Sequence, residues 1–417
     1  MNAVDIALLL SNLEDKERAF AFRLIPKDKA ADVFSNMSNP IQSYLVKIFT
    51  EKELRELLDN LYMDDTVDLL EELPANLVTR ILHTVSSDKR DLINQLLKFP
   101  ENRSIMTTEY VSLKKTMTIK ETMKHIKEVG IHKETIYTCY VLENRRLIGI
   151  VSAKDLMTLD DNTFIQDIME TEIISVGTHT DQEETARLFS KYDLLALPVV
   201  DLDNRMVGII TVDDAMDVMV DEATEDISIM GAVNPSEKTY FETSVFSHAK
   251  NRFLWLLILM LSSTITGTII TQYENAFAAI PLLVSFIPML MDTGGNCGSQ
   301  SSTLIIRGLA LDEIRFKDIF RVIFKEFRVV LLVCLGLALA NGLRIFIMYK
   351  DLKLAVVIGL SLICTVILSK IIGCILPLFA KKINLDPAIM AAPLITTLVD
   401  TCSIIIYFTI ATHIFQL

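Results

Sequence analysis

The chain has 417 residues, 51% hydrophobic and 22% charged, with a mean hydropathy of +0.39. It is too apolar for an ordinary soluble protein and too charged for a bundle lying wholly within a membrane. Residues 251–417 hold 13 Lys/Arg and 9 Asp/Glu, leaving 27 and 44 to the first 250, so an apolar half of net charge +4 follows an acidic half of −17. The acidic half repels phosphate backbones, which excludes nucleic acid as a partner, and the composition excludes a disordered chain. Five of the six cysteines (Cys297, Cys334, Cys364, Cys374 and Cys402) lie in the apolar half and only Cys139 outside it, with no CxxC spacing. Neither a disulfide frame nor a thiolate metal site is expected. The opening MNAVDIALLLSNLEDKERAF has a short apolar run broken by acids and is not read as a signal peptide.

Residues 1–102 form the first domain, an acidic helical solenoid of short amphipathic helices. Six are legible: PKDKAADVFSNM, SNPIQSYLVKIF, TEKELRELLDNL, YMDDTVDLLEEL, PANLVTRILHTV and SSDKRDLINQLLKF. Thr50 with Glu53 makes a capping box, and Ser86 opens the last helix. Asp64 and Asp68 lie one turn apart and repel, which suits a cation between them; as solvated acids at a helix N-terminus they are equally explicable.

A repeat follows. LIGIVSAKDLM at 147–157 realigns with MVGIITVDDAM at 206–216, offset by 59 residues, each copy preceded by a β-rich run (YTCYVLENRR, ALPVVDLDNR) and a helical pattern (TIKETMKHIKEVG, DQEETARLFSKYD). With Ile105-Met106 and Ile168-Met169 opening the copies, the order resembles a tandem pair of cystathionine-β-synthase (CBS) domains, 103–166 and 167–226. Ser152 with Asp155, and Thr211 with Asp214, fit the [ST]xxD pattern with which some CBS modules hold a nucleotide ribose. A hydroxyl and a carboxylate one turn apart can share a diol, and the same residues also make an ordinary helix cap. ATP is therefore a candidate ligand. From Asp213 onward a helical segment carries Asp213, Asp214, Asp217, Asp221, Glu222, Glu225 and Asp226 at spacings of three and four, and residues 227–250 are expected to connect to the membrane as one helix. Carboxylates without Cys or His suit Mg²⁺ or Ca²⁺, and a solvated face explains them too.

Five stretches, about 253–272, 276–306, 329–349, 354–379 and 387–411, are long enough to cross a bilayer. Lys and Arg number ten on the flanks facing one side and three on the other, so the N-terminus is expected in the cytoplasm and the C-terminus outside. Lys370, inside the fourth stretch, is expected to reach the cytoplasmic interface. The second stretch carries Pro281, Pro288 and MDTGGNCGSQSS, and on a helix Asp292, Asn296, Gln300 and Thr303 share one face. Such a seam lines a wet path or glues helices together. In the fifth stretch Asp400 lies far from either margin, with Pro393, Thr396, Thr397 and Ser403 on the same stripe. An acid there needs a cation, a partner or water to stay charged, and a mobile cation is the better counter-charge.

This order of parts resembles the MgtE family of magnesium channels or transporters over essentially the whole chain. DTGGNCGSQSSTLIIRGLA (292–310), DPAIMAAPLITTLVD (386–400) and DEATEDISIMGAV (221–233) are its most specific stretches. The resemblance implies a multi-domain fold: the α-helical solenoid N-domain, an α/β tandem CBS pair, a connecting helix and a five-helix α transmembrane domain at 251–417. It implies a homodimer in membrane lipid, with a pore between the second and fifth helices of both copies and Asp400 holding the ion. It further implies regulatory Mg²⁺ sites among Asp64, Asp68, Asp181, Glu183, Asp193, Asp214, Asp217, Glu222, Glu225 and Asp226. Asp292 and Ala391-Ala392 depart from what some relatives carry. The expected function is import of Mg²⁺ across the cytoplasmic membrane through a channel that cytosolic Mg²⁺ closes. A non-transporting nucleotide or cation sensor and an ion-coupled carrier are the alternatives. An enzyme is not expected, since His248 and His413 fall outside the spans and leave no acid–base pair.

Overall fold

The structure, a computed structural model of this chain, describes residues 1–96, 105–236, 240, 241, 243–311 and 313–416. The boundary expected at 102/103 and part of the expected 227–250 helix lie outside the described residues. Two compact units divide the chain, Met1–Asp221 and Glu222–Leu417.

The first unit opens with eight short helices: α1 (Ala3–Ser11), α2 (Asp15–Phe22), α3 (Lys27–Ser35), α4 (Asn39–Ile48), α5 (Glu51–Leu58), α6 (Met63–Glu72), α7 (Ala75–Thr84) and α8 (Ser87–Leu96). The last six are those the apolar periodicity marks. The first two were not singled out, because a buried arginine rather than an apolar stripe ties them together. Arg18 Nε donates to the Leu10 carbonyl at 2.9 Å, and its other nitrogens reach the Leu13 carbonyl at 2.6 Å and Asp15 at 2.8 Å. The Thr50 capping box is formed: Glu53 N donates to Thr50 Oγ1 at 3.3 Å and Thr50 N to Glu53 Oε2 at 2.8 Å. Phe22, Phe34, Leu45, Phe49, Leu54, Leu58 and Ile81 form part of a common core.

Two three-stranded sheets carry the repeat. In the first, β1 (Ser112–Leu113) pairs parallel with β2 (Thr138–Glu143), which pairs antiparallel with β3 (Arg146–Ser152); α9 (Ile119–Val129), α10 (Ala153–Thr158) and α11 (Ile165–Ile168) complete it. In the second, β4 (Val176–Gly177), α12 (Gln182–Tyr192), β5 (Ala196–Val200) and β6 (Met206–Thr211) repeat the order. The copies trade openings: Thr107 bridges to Ile209, and Glu170 bridges to Ile150. A Cβ on Gly208 would press on Met106 and the Thr107 carbonyl, and one on Gly149 on Met169. The two aligned glycines and the two aligned methionines are therefore halves of one reciprocal contact, each copy's methionine seated on the other copy's glycine.

α13 (Val212–Met230) leaves β6 without a break and ends sooner than expected. The 227–250 connecting helix is corrected: Ala232 turns left-handed at φ 54°, Val233 N donates to the Ser228 carbonyl at 3.0 Å and Ala232 N to that of Ile229 at 2.9 Å. This pair of hydrogen bonds is a Schellman stop. Pro235 follows, and among the described residues the next helix is α14 (Val245–Gln272), capped by Ser244.

The second unit continues with α15 (Glu274–Ala279), a 3₁₀ turn over Pro281–Phe286, α16 (Ile287–Ala310), α17 (Ile319–Tyr349), α18 (Leu352–Lys382) and α19 (Ala392–Phe415). Among the described residues, α14, α17, α18 and α19 lie in the four segments long and apolar enough to cross a membrane. α16 has 24 residues, ample for a hydrocarbon layer of roughly 30 Å, but its glycines and polar side chains dilute its hydropathy. It starts at 287 rather than 276, since Pro281 sits in the 3₁₀ turn and Pro288 in the first helical turn. α17 begins ten residues earlier than the expected 329, which brings Glu326 into the bundle. A left-handed Lys350 and an Asp351 cap join α17 to α18 in two residues.

Candidate functional site

α16 has two unlike sides. Gly294, Gly295 and Gly298 are buried and allow close packing: a Cβ at these positions would strike Thr365 and Val399, Thr396, or Ile395 and Ser369. Gly373 of α18 approaches the Gly298 backbone so closely that no side chain fits. The other side exposes Asp292, Asn296, Gln300 and Thr303 as a polar face. Ser302 Oγ donates to the Met390 carbonyl at 2.7 Å, fastening α16 to the turn before α19.

On α19, Pro393, Thr396, Thr397 and Asp400 are half-buried. The Thr396 and Thr397 hydroxyls donate to the Pro393 carbonyl at 3.0 and 2.9 Å, leaving their oxygens able to accept or to ligate. Ser403 leaves the stripe: it is buried, bonded to the Val399 carbonyl at 2.6 Å. Asp400 feels the charge of Asp292. Among the described residues no side chain forms a hydrogen bond or ion pair with the Asp400 carboxylate, so no neighbour clasps it. Lys370 does not snorkel. It is 5% exposed and lies 3.6 Å from Glu326, because a counter-charge on the neighbouring helix is nearer than the interface.

The soluble unit gathers a second set of acids. Asp64 and Asp65 open α6, Asp213 and Asp214 open α13, and Glu134 follows the short turn after α9. Asp64 is 8% exposed, and Glu134 Oε2 is buried without a hydrogen-bond partner. Burial, then the charges of Asp214, Asp65 and Glu134, pushes Asp64 up to about 9. Burial with Asp214 and Asp68 nearby takes Asp65 to about 7; burial with Asp214, Asp213 and Asp65 takes Glu134 to about 8. Asp214 rises to about 6, chiefly by burial, although Thr211 Oγ1 donates to it at 2.6 Å. Burial raises Asp217 as well. Like charges withdrawn together from water call for a cation. Among the described residues no three His, Cys, Asp or Glu side chains yet converge as a ligand set.

The expected regulatory residues therefore separate. Asp64, Asp68, Asp214 and Asp217 fall in or beside this cluster. Asp181 caps α12, accepting from Glu183 N at 2.9 Å and Glu184 N at 3.2 Å; Glu183 pairs with Arg187, and Asp193 takes the left-handed position ending that helix. Glu222, Glu225 and Asp226 lie on the last turns of α13, beyond the unit boundary. Asp65 and Glu134 are not among the expected ligands, and Asp213 is marked only as one of the carboxylates at the front of its helix. The Asp64-Asp65 doublet was the available signal for the first; Glu134 stands in a loop with no periodicity to mark it. In the nucleotide motif, Ser152 Oγ donates to Asp155 Oδ2 at 2.6 Å and accepts from Asp155 N at 3.1 Å, a self-satisfied cap.

A family model described as "MgtE intracellular N domain" matches residues 1–102, the CBS domain model matches 103–161 and 165–221, and one described as "Divalent cation transporter" matches 287–410. The magnesium transporter MgtE of Thermus thermophilus is 37% identical over 414 residues, 98% of this chain and 92% of its own. This chain belongs to the MgtE family. Within the family, the Bacillus subtilis magnesium transporter MgtE is 33% identical over 98% of this chain and 91% of its own. A crystal structure of the cytosolic domain of the Mg²⁺ channel MgtE in complex with ATP superposes with a TM-score of 0.50 and 36% identity, covering 52% of this chain and 90% of that one. The soluble part of a magnesium transporter gives 0.51 and 32%, covering 54% and 89%. MgtE relatives thus span this chain in both its acidic and its apolar half.

Proposed function

We infer that this multi-pass membrane protein transports Mg²⁺, and that it does so as a homodimeric channel. The observation carrying the reading is the half-buried, unpaired Asp400 on a hydroxyl-lined stripe, in a helix packed against the polar-faced α16. Asp292, Asn296 and Gln300 exposed to lipid would be costly. A second copy presenting the same face would instead enclose a wet path, and two Asp400 carboxylates would meet one divalent ion. Mg²⁺ dehydrates reluctantly, so it would pass largely through its own waters, with the Thr396 and Thr397 hydroxyl oxygens accepting from that shell. The basic residues flanking the spans support an N-terminus in the cytoplasm, a C-terminus outside, and residence in the inner or plasma membrane.

The acidic cluster supports closure by cytosolic Mg²⁺. Its carboxylates repel when packed together, so the packed state is favoured when Mg²⁺ neutralises them and disfavoured when Mg²⁺ is scarce. ATP is a candidate modulator at the CBS pair, and Ser152 with Asp155 suits it better than Thr211 with Asp214, whose acidic surroundings repel phosphates. Complementation of magnesium-starved cells and Mg²⁺ flux into liposomes test the transport reading. The native chain should support both and Asp400→Ala neither; equal flux from the two would overturn it.

A further inference from the structure

The buried side of α16 carries a polar group that ion passage does not use. Ser301 of α16 is fully buried between Glu326 of α17 and Lys370 of α18. Lys370 Nζ donates to Ser301 Oγ at 3.1 Å, Ser301 Oγ donates to Glu326 Oε2 at 3.0 Å, and the ammonium and carboxylate lie 3.6 Å apart with side chains 7% and 15% exposed. The hydroxyl thus acts as acceptor and donor at once. The gap beside the pair, lined by Ile323, Phe327, Val330 and Ile367, measures about 10 Å³, at the lower limit for a single water. Solvent is a poor substitute for either partner.

An ion pair is an expensive way to join helices, since apolar residues of like volume commonly serve as well. Its use here follows from the surface it meets. Gly294 and Gly298 give α16 a flank without side chains of its own against α18, close to Gly373, where the Ser369 hydroxyl donates to the Gly294 carbonyl. The Lys370–Ser301–Glu326 contact adds a second, side-chain anchor about two turns further along α16, and Ser301 is the next residue after Gln300. We propose that Lys370, Glu326 and Ser301 form a positioning clamp that sets the register of Asn296 and Gln300 along the ion path. The clamp itself touches no ion.

The proposal rests on the reading that α16 lines the path, and the test separates the two. Purified native chain, Ser301→Ala, Ser301→Thr and the double variant Lys370→Met/Glu326→Leu are compared in liposomes for half-saturating Mg²⁺, maximal rate and preference for Mg²⁺ over Ca²⁺. Ser301→Ala and the double variant should raise half-saturation by roughly tenfold, the scale of one hydrogen bond to a charged group, and should lose preference for Mg²⁺. Ser301→Thr, which keeps the hydroxyl, should remain near the native values. Native half-saturation and preference in Ser301→Ala would overturn the clamp while leaving transport intact; absence of flux in the native chain would instead overturn the transport reading. Should the double variant fail to fold, the single hydroxyl deletion decides.

Discussion

The two halves of the molecule treat buried acids in opposite ways. In the membrane half Asp400 is half-buried within reach of the charge of Asp292, and hydroxyls and a proline carbonyl share its stripe. In the soluble half Asp64, Asp65, Glu134 and Asp214 are drawn in together; burial raises all four, and the charge of Asp214 raises the other three further. The first arrangement holds a charge ready for a passing ion. The second stores repulsion that only a cation, a proton or separation relieves. An acid therefore reads as conducting or regulatory according to its neighbours, not its residue type.

Neutralisation should separate the halves most sharply. Asp400→Asn is expected to reduce Mg²⁺ flux by about a hundredfold or more, since a buried charged ligand is lost. Asp64→Asn with Asp214→Asn removes both the repulsion and the Mg²⁺ ligands, so it should leave single-channel conductance unchanged while removing the dependence of closure on internal Mg²⁺, which recording at varied internal Mg²⁺ checks. Equal effects of the two changes on conduction would break the contrast.

Next in size is close backbone approach. Gly298→Ala in the membrane half and Gly208→Ala in the CBS pair should each destabilise by about 1–3 kcal/mol through overpacking. The Gly208 Cβ would stand 2.5 Å from the Thr107 carbonyl, which cannot swing aside as the Met106 side chain can. Thermal midpoints of the full chain measure both.

The pH response comes next. With Asp64 at about 9, Glu134 at about 8 and Asp65 at about 7 when packed together, the packed state binds more protons than the separated one. Without Mg²⁺ its stability should therefore fall as pH rises from the ordinary carboxylate value of about 4 through these raised values. Saturating Mg²⁺ should flatten the dependence; protease protection of residues 1–221 across pH reads it out. Smallest is Thr118→Ala, which deletes the α9 capping box and should cost about 1 kcal/mol.

Much of this was legible in the chain. The six helices α3 to α8 follow from apolar spacing, the CBS pair from two copies that agree, and Asp400 from being an acid where an apolar run predicts none. α1 and α2 were not, because Arg18 binds them through carbonyls that no sequence pattern announces. The connecting helix was overextended because its stop uses an alanine in the left-handed position after Gly231. Lys370 is expected at the interface from its place near the cytoplasmic end of the fourth stretch, and only the packing of α17 beside α18 brings Glu326 to it.

Sequence alone determined what is local or periodic: which stretches are apolar enough to cross a membrane, where the repeat lies, and which acid sits in oil. Tertiary structure decided which charges meet. Asp64, Asp65, Glu134 and Asp214 come from three separate segments, as do Ser301, Glu326 and Lys370, and their energies depend on distance and burial that residue spacing does not encode. Electrostatic interaction falls with separation and grows as water is excluded, so only the packed chain fixes whether an acid attracts an ion, repels its neighbour or pairs with a lysine.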